Sequence, residues 1–124
     1  MSDTERHPIK IPAGELLKKP GRPRQLLYAI VTRAISDYAV MQQYRPAHLE
    51  YLHQLDVSGC LLGAGPTLDG QASYYEGDGL IIVTVESIES AQSIAEADPF
   101  HRNKVREYEI KPWLLSEGAI MSLL

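Results

Sequence analysis

The histidine at position 48 combines a residue type and a placement that could do chemistry. The sequence predicts a helix on which His48 shares one face with Leu52 and Leu55, and this apolar face should pack on a sheet. A histidine there is partly desolvated and held in one orientation, and imidazole titrates near neutral pH. It could therefore act as a general base or acid. The alternative is a core histidine whose nitrogens make only structural hydrogen bonds.

Two charged residues could act together with this histidine. Asp98 ends a predicted helix, where the helix dipole disfavours a negative charge, so helix stabilisation does not explain its position. It could orient His48 or bind a cationic group, although an aspartate before a proline also commonly starts a turn. Arg45 precedes His48 by three residues and could hold an anionic oxygen, or it could be a solvated surface charge. The sequence leaves these alternatives open.

Other kinds of site find little support in the residue types and their spacing. The remaining histidines, His7, His53 and His101, have no partners at metal-ligand spacing, which argues against a zinc site. The single cysteine, Cys60, begins a predicted strand and is expected to be buried and inert. The segment 63–66 lacks the lysine and the following helix of a phosphate loop, so its two glycines indicate close approach of backbone or ligand. We expect neither a metal nor a cofactor.

The elements that must position these residues are predicted in the order β-α-β-β-α-β. Runs rich in β-branched and aromatic residues predict strands at 25–33, 60–66, 80–86 and 104–113, with a connecting loop at 67–77. This order is that of the ferredoxin-like α+β fold, which has an antiparallel four-stranded sheet and both helices on one face.

Two helices are predicted between these strands. The first covers 37–57 and closes at Gly59, with a break at Arg45–Pro46, because proline disfavours helical geometry in the residue before it. The second starts after the capping residue Ser87 and stops at Asp98–Pro99.

The two predicted helices can cover only one face of the predicted sheet, so the other face needs a different cover. The segments 26–31 and 80–83 are apolar on both faces, whereas a solvated sheet face normally alternates with polar residues. A second copy of the chain is the simplest cover, so we expect a homodimer, with a higher oligomer as the alternative.

The composition excludes several classes of protein. The chain has 124 residues, 44% of them hydrophobic and 23% charged, with a formal net charge of −4, which suits one globular domain. The longest apolar run, at 80–85, is too short to span a bilayer, and the first residues lack the apolar core of a secretory signal. We therefore expect a cytoplasmic protein that does not enter a membrane.

The first 24 residues differ from the rest in charge. They carry six Lys or Arg against three acids, whereas the remainder carries six bases against thirteen acids. Four of the eight prolines also lie there, which predicts an extended basic arm before a domain at 25–113 and an apolar tail at 114–124. The acidic body would repel phosphate, so nucleic-acid binding is disfavoured against an arm that lies across its own domain or a partner subunit.

Several short motifs, in this order and spacing, resemble those of the YciI-like family. They are Arg45-Pro46-Ala47-His48-Leu49, Gly63-Ala64-Gly65-Pro66, Ala95-Glu96-Ala97-Asp98-Pro99-Phe100, and Val105 followed by Ile110-Lys111-Pro112-Trp113. The resemblance covers residues 25–113. It implies a dimeric α+β barrel in which two ferredoxin-like sheets face each other, in agreement with the apolar second face.

The resemblance also implies a cleft with a His–Asp pair, here His48 and Asp98. Relatives eliminate chloride from a chlorohydroxyhydroquinone or, more distantly, isomerise muconolactone, and both reactions move a proton next to an enolisable carbonyl or enol. The expected function is a cofactor-independent proton transfer or elimination, of lyase or isomerase type, on a small oxygenated, aromatic or lactone-like metabolite. The alternative is a non-catalytic barrel that binds a small ligand or assists an enzyme.

One departure from the family pattern concerns the segment before the third strand. Many members carry Gly-Ser there, whereas this chain has Gly77-Asp78-Gly79, so a carboxylate stands where the family has a hydroxyl. The residues expected to bind the substrate are Arg45, Gly65, Pro66 and Asp78.

Overall fold

Four strands form one sheet in the computed structural model, which describes residues 7–17 and 25–124. The strands are β1 (Gln25–Ala34), β2 (Leu61–Leu68), β3 (Tyr75–Val83) and β4 (Arg106–Leu115). Their order in the sheet is β2-β3-β1-β4, and β3 is antiparallel to both β1 and β2. The predicted ferredoxin-like α+β architecture is confirmed.

Helices lie before, between and after these strands. They are α1 (Ala13–Leu17), α2 (Tyr38–Val57), α3 (Ile88–Ala97) and α4 (Pro99–Arg102), with a 3₁₀ helix at Ala119–Leu123. Residues Leu26–Leu114 form one compact unit that contains α2, α3 and α4. Among residues 7–17 and 25–124, no helix has the length and apolar character needed to cross a bilayer.

The core of this unit lies between the sheet and its helices. Alternate residues of β1 and β3 face the helices, with Ile30 paired to Ile81 and Tyr28 paired to Val83. These side chains pack with alanines of α3, and burying their apolar surface is the main stabilising contribution. The intervening residues, such as the pair Val31 and Leu80, face the other side of the sheet.

Helix α2 is continuous, so the predicted break at Arg45–Pro46 is wrong. Asp37 caps its start, because the Asp37 carboxylate accepts the Val40 N–H at 2.9 Å. Pro46 lies inside the helix, where proline costs about 3 kcal/mol. Buried residues stand on both sides of the proline, Met41 before it and Leu55 after it. Met41 packs with Phe100 and Val105, and Leu52 packs against the core of the sheet, so apolar packing on both sides of the proline offsets that cost.

Strand β3 begins five residues before the predicted start, inside the segment 67–77 that was predicted to be a loop. Gly77 marks close packing within the strand, whereas Gly70 lies in the turn that remains between β2 and β3. A Cβ on Gly77, whose φ is +95°, would lie 2.5 Å from the Ala34 Cβ. The neighbouring Asp78 carboxylate accepts the Ala34 N–H at 2.9 Å. The other strands are shifted from the prediction by one or two residues at their ends.

The segments that flank the compact unit are only partly described. Residues 7–16 are exposed, and α1 corrects the prediction that the arm is extended throughout. Pro12 offers its carbonyl to the Glu15 N–H at 3.0 Å, and Ala, Glu and Leu favour helix. The rest of the predicted arm, residues 1–6 and 18–24, lies outside the described residues. The predicted tail holds the end of β4 and the 3₁₀ helix.

Candidate functional site

A buried histidine–aspartate pair joins α2 to the end of α3. The His48 Nδ1 lies 2.8 Å from one Asp98 carboxylate oxygen and 3.0 Å from the other. His48 is 6% exposed and Asp98 is 1% exposed. A carboxylate accepts the proton on Nδ1 and fixes that tautomer, which leaves the Nε2 lone pair as the free basic position of the ring.

The aspartate is held in place by its role at two helix ends. Asp98 is the C-cap of α3 and the N-cap of α4, and its carboxylate accepts the Phe100 N–H at 2.9 Å. Proline at the first position of α4 is preorganised for the helix. The His48 ring stacks on the Phe100 ring, with centroids 4.0 Å apart and planes inclined by 12°. The Asp-Pro-Phe sequence therefore supplies both the carboxylate and the surface that orient the imidazole.

The imidazole opens onto a cavity of about 410 Å³ between α2, β2 and β3. This volume is within the range of small-molecule sites. Most of the lining is apolar, and its few polar side chains are those of His48, Arg45, Tyr75 and Arg106. The lining residues are Met41, Arg45, His48, Leu49, Leu52, Ala64, Gly65, Pro66, Tyr75, Leu80, Ile81, Phe100 and Arg106.

A second polar group in the cavity is the guanidinium of Arg106, which is only 6% exposed. Its Nε donates to the Gly77 carbonyl oxygen at 2.7 Å, and Nη2 donates to the Tyr75 hydroxyl at 2.9 Å. The carbon of the guanidinium lies 4.8 Å from the Phe100 ring centroid, within the range of a cation–π contact. Imidazole and guanidinium are thus held against the same aromatic ring.

Two other titratable residues, Tyr51 and His101, make hydrogen bonds to backbone carbonyl oxygens of α3. Burial, together with the Asp98 carboxylate, raises the pKa of Tyr51, so its hydroxyl stays protonated and donates to the Ile94 carbonyl oxygen at 2.8 Å. Burial lowers the pKa of His101, whose Nδ1 lies 2.6 Å from the Ala95 carbonyl oxygen. That carbonyl only accepts, so Nδ1 carries the proton and His101 is a neutral structural histidine near neutral pH.

The structure brings most of the predicted site residues together. His48, Arg45, Gly65 and Pro66 line the cavity, and Asp98 stands directly behind the imidazole. Asp78 is not part of this group, because it lines a separate depression with Arg33 and Glu107 and its carboxylate accepts the Ala34 N–H. The structure therefore does not place the Asp78 carboxylate at the His48 site.

Sequence reasoning missed Arg106, Tyr75 and Phe100. Tyr75 was hidden in the predicted loop, and Phe100 follows the Asp-Pro turn that was weighed only for its carboxylate. A signal for Arg106 was present in the strand alternation. It shares its face with Tyr108 and Ile110, which pack against the core, so a charged side chain at the inward position should have been noticed.

The described residues contain no group of three or more His, Cys, Asp or Glu side chains that could hold a metal ion. Cys60 is a free, partly buried thiol.

Comparison with known proteins places these features in a family context. A family model described as "YCII-related domain" matches residues 26–114. Protein YciI of Escherichia coli O6:H1 and Protein YciI of Shigella flexneri are each 36% identical over 95 residues, which cover 71% of this chain and 96% of theirs.

A solved structure shares the fold at lower identity. It is the 5-chloro-2-hydroxyhydroquinone dehydrochlorinase of Burkholderia phenoliruptrix AC1100 in complex with 2,5-dihydroxybenzoquinone. The match has a TM-score of 0.62 and 24% identity, and it covers 74% of this chain and 95% of that one.

Proposed function

Because this chain belongs to the YCII-related family, we propose that it is a cofactor-independent enzyme that moves a proton next to a carbonyl or enol of a small oxygenated metabolite. The observation that carries the proposal is the buried His48–Asp98 pair at the wall of an apolar cavity. A histidine held by a carboxylate through Nδ1 and bordering a ligand-sized space is the arrangement of a general base.

The proposed step uses only residues that line or support the cavity. His48 Nε2 takes a proton from a carbon next to a carbonyl, or from an enol hydroxyl conjugated with it, and the electron pair of the broken bond delocalises onto the carbonyl oxygen to give an enolate. The same imidazolium can return the proton to another carbon, which completes an isomerisation. Alternatively, the enolate re-forms its carbonyl, a double bond forms between the former enolate carbon and the next carbon, and the bond from that next carbon to a leaving group such as chloride breaks, which completes an elimination.

The remaining residues have supporting roles. Asp98 fixes the tautomer of His48 and stabilises the imidazolium formed during the step. Arg45 is exposed, on the face of α2 that carries His48, and holds an anionic oxygen at the cavity mouth. Gly65 and Pro66 lie on the opposite wall, where the missing side chain of glycine lets a planar substrate approach the backbone.

The dehydrochlorinase with the same fold suggests where to look for a substrate. Its name and its bound quinone indicate hydroxylated aromatic rings and quinones, and a cavity of about 410 Å³ accommodates a single ring. We therefore propose hydroxyquinones first, with lactones and small keto acids as further candidates.

A turnover assay tests this proposal. The purified protein is incubated with each candidate, and product is followed by absorbance and mass spectrometry for wild type and His48→Gln. Loss of a proton-transfer group should slow turnover about a hundredfold or more. The matched control is His53→Gln, an exposed histidine of the same helix that does not line the cavity.

Two outcomes would overturn the proposal. Equal turnover by wild type and His48→Gln would remove His48 as the base. Tight binding by wild type and His48→Gln alike, with no product from the wild type on prolonged incubation, would favour the alternative of a non-catalytic binding or accessory barrel.

We also propose that a second copy of the chain covers the sheet face that points away from the helices. Val31 on β1 and Trp113 on β4 are 47% and 40% exposed there, and Val31 pairs with Leu80, which also points away from the helices. Large apolar side chains exposed together on a sheet face usually mark an interface.

The oligomeric state tests that interface directly. Sedimentation velocity should show a dimer for wild type and a monomer for Val31→Glu, because two like charges would meet in a symmetric contact. Val57→Glu, at an exposed end of α2, is the matched control and should remain dimeric. A wild type that sediments as a monomer at all concentrations would contradict the proposal.

A further inference from the structure

Arg106 is a buried cation that no carboxylate neutralises within the described residues. Its hydrogen-bond partners are a carbonyl oxygen and a hydroxyl, and its third contact is an aromatic ring. All three are neutral. Guanidinium remains protonated in proteins, and taking such a charge out of water is costly unless an opposite charge compensates it.

The bonds that Arg106 makes leave one end of its fork unused. Nε and Nη2 are occupied, whereas Nη1 has no partner among the described residues and is not among the fully buried unpaired atoms. Because Arg106 lines the same cavity as His48, this nitrogen can donate to a ligand. A guanidinium with fixed orientation and a free N–H is well suited to bind an oxyanion.

The neighbouring backbone is shaped around this guanidinium. Gly77 supplies the carbonyl that fixes Nε, and it does so at a φ of +95°, which favours glycine. A Cβ on Gly79 would lie 3.1 Å from Nη1 and 3.2 Å from Nη2. The Gly77-Asp78-Gly79 segment thus makes room for the arginine head, while the carboxylate between the glycines turns to Ala34 and not to the cation.

A second donor lies beside the first. The Tyr75 hydroxyl accepts from Arg106 Nη2 and donates its own proton to the Met41 sulfur, with 3.3 Å between the hydroxyl oxygen and the sulfur. A thioether is a weak acceptor, so an anionic oxygen in the cavity would replace the Met41 sulfur as the acceptor of this proton. Arg106 Nη1 and the Tyr75 hydroxyl together can donate two hydrogen bonds to one ligand.

We infer that Arg106 and Tyr75 form an anion-binding site inside the His48 cavity, and that the ligand is a planar organic acid with an ionised enol or carboxylate oxygen. The inference rests on the proposed function and narrows its substrate class to acids, in preference to neutral lactones and hydroquinones. Imidazole and guanidinium lie 4.0 Å and 4.8 Å from the same Phe100 ring centroid. Because His48 and Arg106 also line one cavity, one ring-sized ligand can have its acidic oxygen on Arg106 and its exchangeable proton near His48.

The test compares an anionic and a neutral ring of similar size. The anionic probe is 2,5-dihydroxybenzoquinone, whose hydroxyls are vinylogous carboxylic acids, and the neutral probe is hydroquinone. Both are titrated by calorimetry into wild type, Arg106→Gln and the matched control Arg102→Gln, an exposed arginine of α4. Wild type should prefer the anion. Arg106→Gln should weaken anion binding about 10- to 100-fold and leave hydroquinone binding unchanged, and Arg102→Gln should alter neither.

Two further variants keep the test independent of folding defects. Tyr75→Phe removes one donor from a partly exposed side chain and should weaken anion binding severalfold. Gly79→Ala crowds the guanidinium without changing the charge and should do the same. A purely structural role for Arg106 would lower the melting temperature and affect both probes alike, which would overturn the inference, as would a wild type that shows no saturable binding of the anion.

His48→Gln, titrated with the same probes, separates this inference from the proposed function. The variant should lose turnover and still bind the anion. Turnover that persists in His48→Gln, with anion binding lost in Arg106→Gln, would refute the proposed function alone. Anion binding that survives Arg106→Gln, with turnover lost in His48→Gln, would refute the anion site alone.

Discussion

The Asp98 carboxylate accepts two hydrogen bonds, one that caps α4 and one that orients His48, and a single substitution can separate their effects. The carboxylate accepts the His48 Nδ1 proton at 2.8 Å and the Phe100 N–H at 2.9 Å. In Asp98→Asn the amide oxygen still accepts the Phe100 N–H, and Asn and Asp are about equally good N-caps. The same oxygen lies 2.8 Å from His48 Nδ1, so the amide nitrogen takes the place of the second oxygen, 3.0 Å from Nδ1, and can only donate. The substitution therefore keeps the helix cap, removes the negative charge and sets a donor against Nδ1, which favours the tautomer with the proton on Nε2.

Asp98→Asn should lower the free energy of unfolding only slightly, whereas Asp98→Ala should lower it much more. Replacing a hydrogen bond to a charged group by a neutral one lowers the free energy of unfolding by about 1 kcal/mol. Asp98→Ala instead leaves His48 Nδ1 and the Phe100 N–H without a partner in a buried site, at about 1–3 kcal/mol for each group. Urea denaturation should rank wild type and Asp98→Asn close together and Asp98→Ala well below them.

The cost in activity should be large despite the retained fold. A donating amide places the His48 proton on Nε2, so the lone pair that should accept the substrate proton is absent. Turnover of a confirmed substrate should fall about a hundredfold or more. Nitrogen-15 NMR of the imidazole reads the tautomer directly. If the tautomer reverses and turnover does not change, or if the tautomer does not depend on Asp98, this reasoning is refuted.

Two further predictions concern the surroundings of the site. Gly77→Ala forces a methyl group to 2.5 Å from the Ala34 Cβ at a φ of +95°, so it should lower stability by about 2 kcal/mol or more. Gly63→Ala, where nothing lies within 4 Å of the new Cβ, is the control, and equal melting temperatures for the two variants would contradict the packing argument. Burial lowers the pKa of His101 from 6.5. As the pH decreases below 6.5, the unfolded chain binds a proton at this residue before the folded chain does, so the free energy of unfolding decreases as the pH decreases. From this one group, the free energy of unfolding changes by at most about 1.4 kcal/mol per pH unit. Urea titrations between pH 7 and 5 should show a weaker pH dependence for His101→Gln than for wild type. An identical pH dependence for the two proteins would mean that other groups cause it.

Local sequence patterns were sufficient for much of the fold. The order of strands and helices, the Ser87 cap and the face that carries His48 and Leu55 all follow from short-range periodicity and capping chemistry. The break expected at Pro46 is wrong, and the loop expected at 67–77 is shorter, at 69–74, for a common reason. Each local preference was outweighed by packing with residues far away in the chain, which no window of neighbouring residues contains.

The site was less accessible to sequence reasoning than the fold. His48 and Asp98 are 50 residues apart, and their contact was expected only through the family resemblance. Arg106 was overlooked because a charged residue in a strand is normally assigned to the solvated face. Its inward position depends on the register between β4 and the rest of the sheet, which the sequence does not encode locally.

The claim that His48 is a base acting in this cavity is tested most directly by hydrogen exchange. In 2,5-dihydroxybenzoquinone each ring hydrogen is on a carbon between a carbonyl-bearing and an enol-bearing carbon, so its replacement by deuterium in D₂O reports proton transfer without requiring the natural substrate. Proton NMR follows this exchange with wild type, His48→Gln and His53→Gln. Wild type and His53→Gln should exchange the ring hydrogens faster than buffer alone, and His48→Gln should exchange them at the buffer rate. Equally fast exchange with His48→Gln, or a wild-type rate no faster than buffer, would contradict the assignment of His48 as the catalytic base.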